Sequence, residues 1–310
     1  MRTFAYAVVA AAPFIAIGLG LGPLAGCSKG DAEEAFEEED AGGAGGAEGG
    51  GARPPECTDD TKDIFVISEE RVLYRFHPPT LAFTSIGILQ CAAGGATPTS
   101  MAVDRAGYAW VRYTDGTIWR VSTRDLSCTA TSFVPPQTAE GAFFQFGMGF
   151  ATASKGGSAE ELFLSDTGGA GLAKLDTTSM RLTVVGSYDG ELAGKTSELT
   201  GTGDGKLYGF FVSAPAQIAE ISKGTAQIVS SKELPGVYAG NAWAFSFYGG
   251  DFYVYTSSDG SGGLPLGGSG SDVTRYRPST GAVDIVKSKI GFKIVGAGVS
   301  TCAPTILSPR

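Results

Sequence analysis

The chain has 310 residues, a formal net charge of −9 at pH 7 and a single histidine. Residues 56–310 hold 20 Lys and Arg against 24 Asp and Glu, so most of the net negative charge comes from residues 1–55. The absence of a basic patch argues against nucleic-acid binding, and one histidine excludes histidine-rich zinc sites. Residues 56–310 suffice for one large β domain or two smaller domains.

Residues 1–26 have the features of a secretory signal peptide. Met1 and Arg2 give a short basic start, and a long run of apolar residues and glycine leads to Leu24-Ala25-Gly26-Cys27. This last stretch resembles the lipobox of bacterial lipoproteins. The resemblance implies cleavage before Cys27, acylation of Cys27 with chains such as palmitate, and anchoring in the cell envelope, with the outer membrane as the expected site. The alternative is an uncleaved signal anchor of about 20 residues.

Residues 27–55 are predicted to be a disordered tether. Asp31 to Asp40 carries seven carboxylates, and a glycine-rich run continues to Pro55. Such a segment cannot bury enough apolar surface to offset its ordering entropy. The acidic run also resembles the surface-export signals of some bacterial lipoproteins. The periplasmic and the surface-exposed sides of the membrane therefore both stay open.

Residues 56–310 contain five similar segments, each with an apolar strand, a polar turn and a second strand. They recur at intervals of 45, 54, 46 and 55 residues when aligned on Arg75, Arg120, Lys174, Glu220 and Arg275. This spacing is typical of one four-stranded β-propeller blade per repeat. The predicted fold is all-β, a β-propeller with five blades as the first prediction and six as the alternative.

The first repeat lacks an innermost strand, and the C-terminal part of the chain supplies a spare one. Val295 to Pro304 alternates small and apolar residues, as the other inner strands do. We expect this strand to complete the first blade and close the ring, because closure removes exposed sheet edges.

Four cysteines follow Cys27, an even number that indicates two disulfides in an exported protein. Cys302 in the returning strand is expected near Cys57, just before the first blade. Cys91 and Cys128 lie at or after the outer strands of neighbouring blades and form the second expected pair. Four cysteines allow three connectivities, and the sequence leaves the other two open.

The second repeat, from Pro98 to Cys128, resembles a blade of the NHL, SMP-30 and YncE-like propeller families. The shared pattern is a turn, here Asp104-Arg105-Ala106-Gly107, followed by two strands. The resemblance implies the propeller fold and no single function. Lactonase-type SMP-30 members bind a divalent metal through carboxylates and asparagines, whereas Asn241 is the only asparagine of this chain. We predict no metal and no cofactor.

The candidate catalytic residues are few. His77 is predicted at the rim, in the turn between the third and outer strands of blade one, where it cannot act as a base in the channel. Five aspartates recur at blade turns and offer the carboxylates that a propeller glycosidase would need: Asp104, Asp166, Asp204, Asp251 and Asp272. Because aspartate is also an ordinary turn former, the sequence favours the absence of catalysis and leaves the question open.

Two long insertions fall on the face where propellers usually bind ligands, from Val134 to Gly147 and from Ser257 to Ser271. Phe143, Phe144 and Phe146 crowd into the first, and aromatic side chains are enriched at binding hot spots. These three are the candidate binding residues for a protein or glycan ligand. The alternative is that one or two of these phenylalanines cap the channel or pack between blades.

The predicted function is a lipid-anchored binding or scaffold module of the cell envelope, attached to the membrane through its N-terminal lipid. Two alternatives stay open. One is a carboxylate-dependent enzyme that acts on envelope or extracellular glycans, and the other is a subunit of an outer-membrane assembly complex.

Overall fold

A computed structural model describes residues 57–138, 140–257 and 270–306. The predicted signal peptide, Cys27, the predicted tether and most of the second long insertion lie outside the described residues. Within the described ranges, no helix is long and apolar enough to span a membrane.

The described residues form twenty strands and two short 3-10 helices, Asp59–Thr61 and Gly190–Leu192. The strands are β1 (Ile64–Ser68), β2 (Val72–His77), β3 (Ala82–Ile88), β4 (Pro98–Val103), β5 (Tyr108–Tyr113), β6 (Ile118–Ser122), β7 (Cys128–Ala130), β8 (Phe146–Thr152), β9 (Glu160–Asp166), β10 (Leu172–Leu175), β11 (Leu182–Gly186), β12 (Ser197–Gly201), β13 (Leu207–Phe211), β14 (Ala216–Ile221), β15 (Ile228–Leu234), β16 (Ala242–Tyr248), β17 (Asp251–Ser257), β18 (Asp272–Arg277), β19 (Ala282–Lys287) and β20 (Ile294–Val299).

These strands form five antiparallel sheets of four strands, and each sheet is one blade of a propeller. The prediction of five blades is confirmed, and the six-bladed alternative is wrong. Blades 2 to 5 each use four consecutive strands, whereas blade 1 has the order β20-β1-β2-β3 from the axis outward. Ile64 of β1 lies opposite Val299 of β20. The C-terminal strand therefore completes the first blade and closes the ring, as predicted.

The hydrophobic core is divided among the junctions between neighbouring blades. Five clusters of buried side chains each combine residues from two adjacent blades. Every residue of β1 and β17 is buried, whereas the outer strand β15 is mostly exposed. A strand covered on both faces has no solvent-exposed side, so the polar residues of an inner strand such as β12 are buried as well.

The inner strands approach one another closely around the axis. A Cβ on Gly201 would lie 2.2 Å from the carbonyl oxygen of Phe150 in the neighbouring inner strand. A Cβ on Gly298 would lie 2.9 Å from the carbonyl carbon of Ala102. Glycine at these positions permits a spacing that any side chain would disturb.

Both expected disulfides are present. Cys57 is joined to Cys302 across 245 residues, and Cys91 is joined to Cys128 across 37 residues. The first connects the start of the described domain to the segment that follows β20, and the second connects blades 1 and 2. Structural disulfides persist in oxidising compartments, so the domain belongs to a non-cytoplasmic protein.

Candidate functional site

The channel along the propeller axis has two different ends. The five inner strands begin at one end, which we call the mouth end, and finish at the other, which we call the closed end. A pocket of about 460 Å³ lies at the mouth end and is lined by residues from all five blades. This volume lies within the range of about 300 to 1,000 Å³ that is typical of small-ligand sites.

The pocket has a mixed lining, in which uncharged polar side chains alternate with apolar residues such as Pro98, Ala242 and Val295. Its hydroxyl and amide side chains come from the starts of inner strands and from neighbouring loops: Thr97, Thr99, Thr114, Gln145, Thr167, Thr196, Ser197 and Asn241. Trp243 and Phe146 add aromatic surface, and Glu69 and Glu198 are the acidic members. None of the described lining residues is lysine, arginine or histidine.

Glu198 of β12 is the buried acid of the pocket. Only 6% of its surface is exposed. Its Oε2 accepts hydrogen bonds from Ser100 Oγ and from the Met148 backbone N–H, both at 3.2 Å. Burial raises the pKa of Glu198 to about 8, although these hydrogen bonds oppose the shift. The carboxyl group is therefore mostly protonated and neutral at pH 7.

Arg112 of β5 connects the pocket to the first long insertion. Its side chain is fully buried, its Nη1 donates to Thr99 Oγ1 at 2.7 Å, and its Nη2 donates to the carbonyl oxygen of Phe144. The guanidinium carbon lies 5.1 Å from the ring centre of Phe146, within cation–π range. Burial lowers the pKa of Arg112 to about 10, so the side chain stays charged at neutral pH. Arg112 thus holds Thr99 and the insertion in fixed positions.

The prediction that the three phenylalanines form one exposed surface does not hold: two of them pack between blades, as in the alternative, and one of these, Phe146, also lines the mouth pocket. Phe143 and Phe146 are 1% and 2% exposed and belong to the core between blades 2 and 3. The Phe143 backbone N–H also donates to Asp166 at 2.7 Å, which fixes the loop against blade 3. Phe144 is 42% exposed and borders a shallow depression at the mouth end. The two buried rings pack between blades because burying aromatic surface is strongly favourable.

The closed end of the channel is covered by the segment that follows β20. Thr301 Oγ1 donates to Glu160 Oε1 in blade 3 at 2.6 Å and accepts from Arg105 Nη1 in blade 2 at 3.1 Å. The carbonyl oxygen of Pro304 accepts from the Gly249 backbone N–H in blade 5 at 2.7 Å. Because the segment contacts blades on several sides of the axis, a ligand would reach the channel from the mouth end.

Glu160 is a half-buried carboxyl group that lies near the Cys57–Cys302 disulfide. Its Oε2 accepts from the Arg105 backbone N–H at 2.8 Å, and Arg105 Nη2 lies 3.0 Å from Cys57 Sγ. Burial raises the pKa of Glu160 to about 7, and the hydrogen bonds from Thr301 and Arg105 oppose that shift. This network fastens the C-terminal segment over the channel.

The structure does not bring the five blade-turn aspartates together. Asp166 and Asp272 lie toward the mouth end, whereas Asp104, Asp204 and Asp251 lie toward the closed end. None of them lines the mouth pocket.

Hydrogen bonds and ion pairs show what these aspartates do instead. Asp104 accepts from the Tyr108 backbone N–H at 2.9 Å, and Asp251 forms an ion pair with Arg275. They stabilise turns and strands, so the carboxylate set expected for a glycosidase is not assembled from them.

His77 ends β2 at the turn to the outer strand, as predicted, and its Nδ1 lies 2.8 Å from Asp63 Oδ1. Within residues 57–138, 140–257 and 270–306, no three His, Cys, Asp or Glu side chains are grouped so that they could hold a metal ion.

Glu198, Arg112 and Trp243 are site residues that the repeat pattern does not single out. The sequence does carry a signal for the first two, since each is the single charged residue of its strand. When buried, such residues are costly unless they are paired or functional. Trp243 has no comparable signal, because a tryptophan in an inner strand is expected to be part of the hydrophobic core.

No protein-family model matches the chain, and no curated protein matches it. Among solved structures, a protein of unknown function from Bacteroides caccae is 12% identical with a TM-score of 0.43, over 76% of this chain and 97% of that one. A chain of a nidogen–laminin complex is 10% identical with a TM-score of 0.48, over 76% and 97%. Regucalcin, a calcium-binding protein from Agrobacterium tumefaciens, is 12% identical with a TM-score of 0.41, over 67% and 68%. Similarity at this level does not indicate what the chain binds.

Proposed function

We propose that this chain is a lipid-anchored ligand-binding module of the cell envelope. The observation that carries the proposal is the mouth pocket, to which all five blades contribute. The pocket lies at the mouth end, and the C-terminal segment covers the opposite end of the channel. A ligand would therefore enter from the mouth end. A pocket built from five blades is also held rigidly, because each blade is packed against two neighbours.

The lipobox-like stretch that ends at Cys27 and the two disulfides support the envelope location. About 28 residues separate Cys27 from Pro55, and a flexible coil of that length has a root-mean-square span of roughly 30 Å. The tether would let the propeller reach ligands at some distance from the lipid surface. We place the anchor in the outer membrane.

The anchor is tested by Cys27→Ser in the full-length chain. We expect the variant to lose labelling with radioactive palmitate and to leave the detergent phase in a phase-partitioning experiment. Cys91→Ser, which removes a disulfide cysteine, is the control and should still be labelled. Labelling of Cys27→Ser at the wild-type level would contradict the proposed anchor.

The charges of the pocket support binding over catalysis. Glu69 Oε2 lies 3.1 Å from Lys293 Nζ, and Glu198 is buried and accepts two hydrogen bonds. Hydrolysis of a glycosidic bond needs one carboxyl group as an acid and a second, ionised one as a base or nucleophile. Glu69 is already engaged by Lys293 and Glu198 by two groups of the core, which favours binding over catalysis.

The binding function is tested by purifying full-length protein from its own envelope in mild detergent. Molecules released on denaturation are then identified by mass spectrometry for the wild type, Trp243→Ala in the pocket and Lys155→Ala in the closed-end hairpin. We expect the same ligand with the wild type and Lys155→Ala and its loss with Trp243→Ala. Equal recovery from all three proteins, or no ligand with the wild type, would contradict a mouth-pocket site.

A further inference from the structure

We infer that the ligand of the mouth pocket is an uncharged saccharide. This inference rests on the proposed binding function and names the chemical class that the pocket would recognise. Three properties of the lining carry it: unengaged hydrogen-bonding groups, an indole surface and the absence of unpaired charge.

The first property is a set of polar side chains that are available to a ligand. Thr97, Gln145 and Asn241 are exposed, and their side chains have no hydrogen-bond partner among the described residues. A hydroxyl group and two amides can each donate and accept hydrogen bonds. Sugar hydroxyls also do both, so these groups match a saccharide without requiring a charge.

Other hydroxyls of the pocket are oriented by the backbone. Thr167 Oγ1 donates to the Gln145 carbonyl oxygen at 3.0 Å, and Thr196 Oγ1 donates to the Thr167 carbonyl oxygen at 2.7 Å. Each oxygen keeps lone pairs that can accept from a ligand hydroxyl. The pocket therefore combines fixed acceptors with groups that are free to donate.

The second property is the half-buried indole of Trp243 in the lining. One face of a sugar ring presents mainly C–H groups, which are apolar and can stack on an aromatic surface. The indole also has an N–H group that can donate a hydrogen bond. A tryptophan among hydroxyls and amides suits a ligand with both an apolar face and polar edges.

The third property is charge. The lining offers an anionic ligand no cation, and a cationic ligand would find Glu69 already paired with Lys293. Glu198 is hydrogen-bonded to Ser100 and Met148, and its raised pKa keeps it neutral at pH 7. The many hydroxyl and amide groups of the lining suit a ligand that carries hydroxyl groups over most of its surface. These properties leave an uncharged saccharide as the favoured class.

The test applies detergent-solubilised full-length protein to a glycan array that carries uncharged, acidic and amino-sugar oligosaccharides. We expect binding to uncharged members. The best of them is then titrated by calorimetry as a soluble oligosaccharide and as the headgroup of a glycolipid in vesicles, which distinguishes a free sugar from a membrane-borne one. Binding only to charged glycans, or to none, would overturn the inference.

Variants locate the binding. We expect Trp243→Ala to weaken saccharide affinity at least tenfold and Asn241→Ala to weaken it several-fold. Asn241 is exposed and has no side-chain partner among the described residues, so its variant stays informative even if Trp243→Ala fails to fold. Tyr238→Ala removes an exposed aromatic ring outside the pocket lining and should leave affinity unchanged. Loss of affinity in Tyr238→Ala with none in Asn241→Ala would place the sugar outside the pocket and overturn the inference.

Failure of this inference is distinguishable from failure of the proposed function. A Trp243-dependent ligand recovered from the envelope, together with no binding to uncharged glycans, would leave the binding function standing and reject the saccharide. Cleavage of a bound oligosaccharide, detected by mass spectrometry, would keep the saccharide and reject a purely binding role.

Discussion

Two carboxyl groups with raised pKa values, those of Glu198 and Glu160, make the stability of the folded protein depend on pH. Burial raises the pKa of Glu198 to about 8 and that of Glu160 to about 7, from the ordinary glutamate value of 4.5. The folded protein therefore retains protons that the unfolded chain releases. Because the native state binds more protons over this interval, stability falls as the pH rises from about 4.5 to about 8.

Replacing Glu198 with Gln should remove most of one such contribution, since a raised pKa costs about 1.4 kcal/mol per unit once the pH exceeds it. The melting temperature of the wild type should fall more between about pH 5 and pH 8 than that of Glu198→Gln. The new amide can also shift the melting temperature by the same amount at every pH, which is compatible with this expectation. If the melting temperatures of the two proteins changed by equal amounts between about pH 5 and pH 8, the assigned pKa of Glu198 would be wrong.

Phe143 and Phe144 are neighbours in sequence with opposite environments. Phe143→Ala should cost about 3 to 5 kcal/mol because it removes a ring from the core. Phe144→Ala should cost about 0.5 kcal/mol or less because its side chain is substantially exposed. Urea unfolding followed by circular dichroism measures both, and similar losses for the two variants would show that the burial assignment is wrong.

The sequence could not distinguish these two rings. The insertion has no periodicity that would separate an inner from an outer face. Phe143 also has a φ of 58°, a left-handed conformation that is unusual for a bulky residue and that local sequence does not indicate. The buried side of such a loop depends on the blades against which it folds.

At the scale of elements, the repeat pattern was sufficient to place the blades. The aligned repeat residues Arg75 and Arg275 lie in the third strands of blades 1 and 5, β2 and β18, and the predicted C-terminal strand contains most of β20. Alternation and turn residues carry this information locally. The mouth pocket is different, because its residues come from the starts of five strands that are far apart in sequence. Only the closed ring brings them together.

The close packing of inner strands gives a test at this scale. Gly201→Ala would place a methyl group 2.2 Å from the Phe150 carbonyl oxygen, and relieving the clash should cost about 1 to 3 kcal/mol or more. Gly224→Ala is a matched control, because nothing lies within 4 Å of its Cβ position and its φ is not positive. We expect a lower melting temperature for the first variant alone. Equal behaviour of the two would contradict the close approach of β8 and β12.

At the scale of the whole molecule, the ring is closed by β20 and by the Cys57–Cys302 disulfide. A crosslink across 245 residues restricts the unfolded chain more than one across 37 residues. The loop-entropy relation gives a difference of about 1.7 kcal/mol. The Cys57→Ser/Cys302→Ser variant should therefore lose more stability than Cys91→Ser/Cys128→Ser, as measured by urea unfolding. A larger loss for the second variant would show that closure by the long-range disulfide is the weaker constraint.

We propose that the closed ring binds its ligand at the mouth end. This proposal is tested most directly by site-specific photo-crosslinking in intact cells that produce the full-length chain. A photoreactive residue replaces Asn241 at the mouth or Lys155 in the closed-end hairpin, both of which are exposed. We predict an adduct with an envelope component from position 241 and none from position 155. An adduct from position 155 alone, or equal adducts from both positions, would contradict the proposed mouth-end site.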